Sequence, residues 1–158
     1  MIFQEPMWAL SPLKTIGRQM VETVRFHKNM AAGEARALAL EWLTKVWLPE
    51  PERQMKAFPY ELSGGMQQRV MIAMALMTEP ALMIADEPTT ALDVTVQAEL
   101  FRLLKELKTR NDSILLITHD MGVVNVMCDR VMIMYAGNLV ETAAREAIFK
   151  RPAHPYTK

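Results

Sequence analysis

Apolar residues recur at helical spacing through the first half of the chain. Ile16, Met20 and Val24 lie on one face of a helix predicted over about 11–26, and Ala35, Ala39, Trp42 and Val46 on one face of another over about 32–46. The stretch LPEPERQMKAFPYE, Leu48 to Glu61, holds three prolines and reads as a connector with little room for a long helix. LSGGMQQRVMIAMAL, Leu62 to Leu76, then opens with serine and two glycines and continues as a buried helix. From there the period changes. ALMIA (81–85) and ILLI (114–117) are short continuous apolar runs. Between them Val96, Leu100, Leu103, Leu104 and Leu107 form one helical face, with Asp93 placed to cap it. Strand, helix, strand predicts a βαβ unit and a parallel sheet buried on both faces. A short helix after Asp120 leads to the strand VMIMY (131–135), and Gly137-Asn138 signals a hairpin into LVET.

The chain therefore divides into a helical part and a sheet-containing part. The expected boundaries are a first strand at 1–5, a helical subdomain at 6–78, a sheet-bearing core at 79–150 and a tail at 151–158. The 158 residues suffice for a core of their own. With 18 Lys+Arg against 18 Asp+Glu, charge gives no support for a nucleic-acid binder. Cys128 is the single cysteine, so an internal disulfide framework and a cysteine metal cluster are excluded. No leader pattern is visible, and Val70 to Met77 is far shorter than a bilayer span. The expectation is a soluble protein, or one that rests on a membrane through a partner.

Asp86-Glu87 follows the first apolar strand directly, and in open α/β sheets ligands sit at the carboxyl ends of strands. One carboxylate there can serve a hydrated Mg²⁺ and the other can polarise a water for attack on a phosphoryl group. Taken alone, the pair reads more readily as a solvated strand end before the turn at Pro88. His119 follows the second strand and can donate to a γ-phosphate or orient a water, though an isolated polar strand end is ordinary. Gln4, just after the possible strand MIF, can ligate Mg²⁺ or bond the attacking water, or simply cap a loop. Ser63 can cap its helix and donate to a phosphate oxygen. Gly64 and Gly65 clear side chains so that backbone N–H groups at a helix start can touch an anion; a plain loop-to-helix turn is the alternative.

These pieces occur together and in order. FQEP resembles the Q-loop of ATP-binding cassette (ABC) ATPases, LSGGMQQRV their signature motif, ALMIADEP Walker B with its glutamate, TALD (90–93) the D-loop, and ITHD the switch histidine. The wider wording, with MIFQEPMWALSP, IADEPTTALDVTVQAEL, ITHDMGVV and HPYTK, is similar to ATPase subunits of bacterial oligopeptide, dipeptide and glutathione importers nearly end to end. The resemblance implies a P-loop NTPase core, α/β with a parallel sheet, plus an α-helical subdomain. It implies ATP and Mg²⁺ as cofactors. Asp86 would hold Mg²⁺ through water, Glu87 would be the catalytic carboxylate and His119 the γ-phosphate switch. Gln4 would ligand the metal and couple to a permease. Ser63, Gly64, Gly65 and Gln67 would contact nucleotide bound to the opposite subunit, and Asp93 would report across the dimer. Implied partners are a second ATPase subunit, transmembrane permease subunits and, indirectly, an extracytoplasmic solute-binding protein, on the cytoplasmic face of the bacterial inner membrane. Trp8 would be a coupling contact or a subdomain-packing tryptophan.

No GxxxxGK[ST] stretch occurs from Met1 to Lys158, although the family places this P-loop (Walker A) before the Q-loop. The chain thus reads as an internal piece of an ABC ATPase energising import of peptides or a peptide-like solute. Its own phosphate grip lies outside it, the isolated chain is expected to be inactive, and apolar faces of ALMIA and ILLI are expected to be uncovered. The other readings are a non-catalytic fragment that docks on a permease or partner ATPase, and an ABC ATPase with a non-transport role. Trp47 stands where relatives usually have glycine, so a tight turn is expected to be altered there.

Overall fold

A computed structural model describes residues 1–89, 92, 94–108 and 113–158, without the side chains of 94 and 106–108. The chain forms two compact units, Met1–Ile117 and Thr118–Lys158.

In the first unit the helical part comes first: α1 (Pro6–Ala9), α2 (Ile16–Lys28), α3 (Ala32–Lys45), α4 (Pro51–Gln54), a short 3₁₀ turn at Pro59–Glu61, and α5 (Gly64–Leu76). Ile16, Met20 and Val24 are fully buried on α2, as their spacing requires, and so are Ala35, Ala39 and Leu43 on α3. The expected start of α2 near residue 11 is corrected to Ile16. Residues 11–15 instead wrap around the buried Gln19, whose Oε1 accepts from Ser11 N at 2.7 Å while its Nε2 donates to the carbonyls of Ser11 and Lys14 at 3.1 and 2.9 Å. Thr15 then caps the helix by accepting from Arg18 N. Helix α5 packs against α1, α2 and α3. Val70, Ile72, Ala73 and Met77 are fully buried in or just after it. Burying each of the larger of these side chains stabilises the fold by roughly 1.5–3 kcal/mol.

The turn after α3 is closed by Trp47 N donating to Thr44 O and Leu48 N to Leu43 O, both at 3.0 Å, with Leu48 buried. This is the helix-ending arrangement that glycine normally serves. Trp47 itself takes the left-handed conformation, φ 53°. The turn expected to be altered here is nonetheless closed, with tryptophan in the left-handed conformation that glycine normally takes.

Strand β1 (Leu82–Asp86), helix α6 (Val94–Lys108) and strand β2 (Ser113–Ile117) form the expected βαβ unit. The strands pair in parallel, Leu82 with Ser113 through Asp86 with Ile117. On α6, Leu100, Phe101 and Leu104 are buried; Leu107 and the proposed cap Asp93 lie outside the described residues or side chains. Ile2 forms a one-residue parallel bridge on the other side of β1, donating to Ile84 O at 2.8 Å and accepting from Asp86 N at 3.0 Å. The expectation of burial on both faces fails. Leu82, Leu115 and Ile117 are exposed at 56, 38 and 46%, in line with the apolar faces expected to be uncovered.

The second unit comprises α7 (Met121–Met127), the antiparallel strands β3 (Arg130–Tyr135) and β4 (Asn138–Ala144), and α8 (Arg145–Lys150). Asp120 Oδ1 caps α7, accepting from Gly122 N and Val123 N. Val124, Val131 and Ile148 form its core. The hairpin turn sits one residue earlier than Gly137-Asn138: Tyr135 pairs with Asn138, and Ala136 and Gly137 take φ of 47° and 77°. Two consecutive positive φ values suit the twist of a two-residue hairpin loop.

Candidate nucleotide-hydrolysis site

Parallel register builds the site in the first unit. The bridge at Ile2 and the β1–β2 pairing set Gln4 and Glu87 at one end of β1. Gln4 Nε2 donates to Glu87 Oε2 at 3.1 Å, although 83 positions separate the two residues. A carboxylate only accepts, so the Gln4 amide must present its nitrogen to Glu87 and turn its carbonyl oxygen elsewhere. Glu87 N is bound to Ile117 O at 2.9 Å, and Glu87 adopts the left-handed conformation, φ 42°. A non-glycine residue held there carries strain of the kind stored at functional sites. Asp86, half-buried, is the last residue of β1.

Sequence reasoning missed Gln68. It is fully buried on α5, and its Nε2 donates to Pro88 O at 2.6 Å, one residue beyond Glu87. The available signal was a second amide inside an otherwise apolar helix, MQQRVMIAMAL. Its neighbour Gln67, also buried, donates to Pro59 O at 2.9 Å and Leu62 O at 3.1 Å, which fixes the loop before the helix. Ser63 caps α5, accepting from Met66 N at 3.4 Å. Ser63 and Gly64 are exposed and Gly65 is half-buried. A Cβ added at Gly64 would meet nothing within 4 Å, so packing within the chain does not demand glycine there. Clear space at a helix start is what a docking anion needs.

His119 lies in the second unit, exposed, in the bend that follows β2 by two residues, directly before the α7 cap Asp120. Asp93, Thr90 and Ala91 of TALD fall outside the described residues.

The sequence model described as ABC transporter matches residues 1–90, more than half of the chain. The chain belongs to the ABC transporter family. It is 54% identical to the probable peptide ABC transporter ATP-binding protein y4tR of Sinorhizobium fredii and 55% identical to the oligopeptide transport ATP-binding protein AppD of Bacillus subtilis, covering all of this chain and 48% of each relative. The chain thus spans about half the length of the curated relatives it matches. Among solved ABC structures, the ATP-binding cassette MJ0796, a dimer in a post-hydrolysis state bound to ADP and Pi, superposes with a TM-score of 0.82 at 32% identity, over 91% of this chain and 61% of that one. The ABC cassette fold, α/β with a parallel sheet and helices, is therefore that of this chain.

Proposed function

We propose that these residues are part of the ATP-binding and ATP-hydrolysing component of an ABC importer of peptides or a peptide-like solute. The contact between Gln4 and Glu87 carries the reading: it holds a carboxylate at the end of the Walker B strand, facing the Q-loop amide. Glu87 is the general base that polarises the attacking water. Asp86 and the Gln4 carbonyl oxygen are hard donors of the type Mg²⁺ takes, and an ion that keeps several waters and binds nucleotide phosphates needs no more than one or two protein ligands. Such an ion would neutralise developing phosphate charge. His119 serves the γ-phosphate, and Asp93 communicates between subunits.

Ser63, Gly64, Gly65 and Gln67 act on ATP held by a second ATPase subunit. The exposed N-terminus of α5 and the open space at Gly64 support this, as does the dimeric state of MJ0796. Gln67 contributes through the loop it pins. These residues contain no GxxxxGK[ST] stretch, so the cis phosphate grip comes from other residues, and the 158 residues alone would not turn over ATP. Transmembrane permease subunits are the proposed membrane partner, fed by an extracytoplasmic solute-binding protein. Trp8 and Met7, exposed at 86 and 75%, are the proposed contact to them. Among the described residues no helix is long and apolar enough to cross a membrane. The proposed place is peripheral, on the cytoplasmic face of the membrane that holds the permease.

Ser63→Arg in the full-length polypeptide tests the trans role. ATP-driven dimer formation, measured by size-exclusion chromatography with Glu87→Gln present to hold ATP, should be lost. Dimerisation at wild-type ATP concentrations would refute it.

A further inference from the structure

We propose that Gln68 is a positioning residue that ties the signature helix to the backbone beside Glu87, so that engagement of a partner's nucleotide at Ser63–Gly65 is felt at this chain's own hydrolytic carboxylate. The proposal rests on the reading of Glu87 as general base. Gln68 is fully buried, five residues along the chain from the Ser63 cap, and its Nε2 reaches Pro88 O at 2.6 Å. The strained Glu87 backbone, φ 42°, is thereby held between two anchors: its own N–H on Ile117 O at 2.9 Å, and the next carbonyl on Gln68. Gln67 fastens the other side of the same helix start to Pro59 and Leu62. Helix α5 therefore grips both the loop that leads into Ser63 and the loop that carries Glu87. A displacement of α5 moves the Pro88 carbonyl with it, because the buried bond has no solvent to substitute for it. A general base displaced by even 1 Å loses about a hundredfold in rate.

Gln68→Met keeps the shape and removes the donor. In the full-length ATPase with its partner subunit, kcat for ATP should fall by at least about tenfold while KM stays within about twofold, the split expected when a group acts on the chemical step. In the Glu87→Gln background, where Gln68 has no base left to position, the same change should leave ATP trapping in the dimer intact. If Gln68→Met does not fold, Gln68→Leu, which likewise removes the donor and leaves no charge in the buried site, is expected to give the same split. Unchanged kcat in a folded variant, a raised KM, loss of trapping, or failure of both variants to fold would each overturn the proposal. Wild-type turnover by Glu87→Gln alone would instead sink the assignment of Glu87 itself, whatever Gln68 does.

Discussion

Gln4 Nε2 and Glu87 Oε2 meet at 3.1 Å, on segments that the bridge between Ile2 and Ala85 brings side by side. The carboxamide restrains the carboxylate that the proposed chemistry uses. In the proposed reading its own oxygen is left for a cation, so that one side chain would serve both groups.

Removing that restraint should slow hydrolysis without abolishing it. A hydrogen bond to a charged group contributes roughly 1.5–3 kcal/mol, so Gln4→Ala should lower kcat on the order of tenfold or somewhat more. Gln4→Glu should lower it further, because a second carboxylate would push Glu87 out of place. Steady-state ATPase assays of the full-length polypeptide compare the two; equal rates for both variants and wild type would contradict the contact's role.

Gly17 carries a steric prediction. A Cβ there would lie 2.6 Å from Met55 O and 2.9 Å from Met55 Cε, and Gly17 N is itself bonded to that carbonyl at 2.9 Å. Gly17→Ala should destabilise by about 1–3 kcal/mol, as overpacking does. Urea unfolding reads it directly, and a variant as stable as wild type would show that α2 and the Met55 segment can move apart freely.

Trp47 allows the backbone and side-chain contributions to be separated. Both Trp47→Ala and Trp47→Gly lose the half-buried indole, but only glycine is at ease at φ 53°. Trp47→Gly should be more stable than Trp47→Ala by about 1 kcal/mol, the reverse of the order inside a helix. The difference between their unfolding midpoints is the measurement; alanine at or above glycine would contradict the strained turn.

Glu141 gives a pH dependence. The Thr157 side chain, with Ala153 N–H and His154 N–H donating at 2.9 and 3.0 Å, holds its carboxyl below the usual carboxylate range. A lowered folded value means that the ionised form is the one the fold favours. The contribution is complete above the ordinary carboxylate range and is lost as pH falls through the lowered value. Hydrogen exchange at Ala153 and His154 should be protected at neutral pH and lose that protection in acid, and Glu141→Ala should remove it at every pH. Equal protection with and without the carboxylate would remove Glu141 from this role.

The strands, α6 and the helical half were legible because period alone separates a continuous apolar run from a 3.6-residue stripe. The parallel pairing followed from strand, helix, strand. Other features hid for physical reasons. Gln19 draws residues 11–15 out of the helix by side-chain bonds that no periodicity encodes. The hairpin turn rests on Ala136 at positive φ, where alanine gives no turn signal and the neighbouring Gly137-Asn138 gives a strong one. At the site, Gln4, Asp86 and Glu87 were visible as polar residues at strand ends. Gln68 was not, because its partner is a backbone carbonyl 20 positions away. Whether such an amide is solvated or buried against a loop depends on packing that the helix pattern leaves open.

The most direct measurement is ATP turnover by the full-length polypeptide, assembled with its partner subunit and carrying Glu87→Gln. Loss of a general base is worth about 10²–10⁴ in rate, so hydrolysis should fall by that factor while ATP still binds and accumulates in the dimer. Hydrolysis at the wild-type rate, with no trapped ATP, would contradict the account.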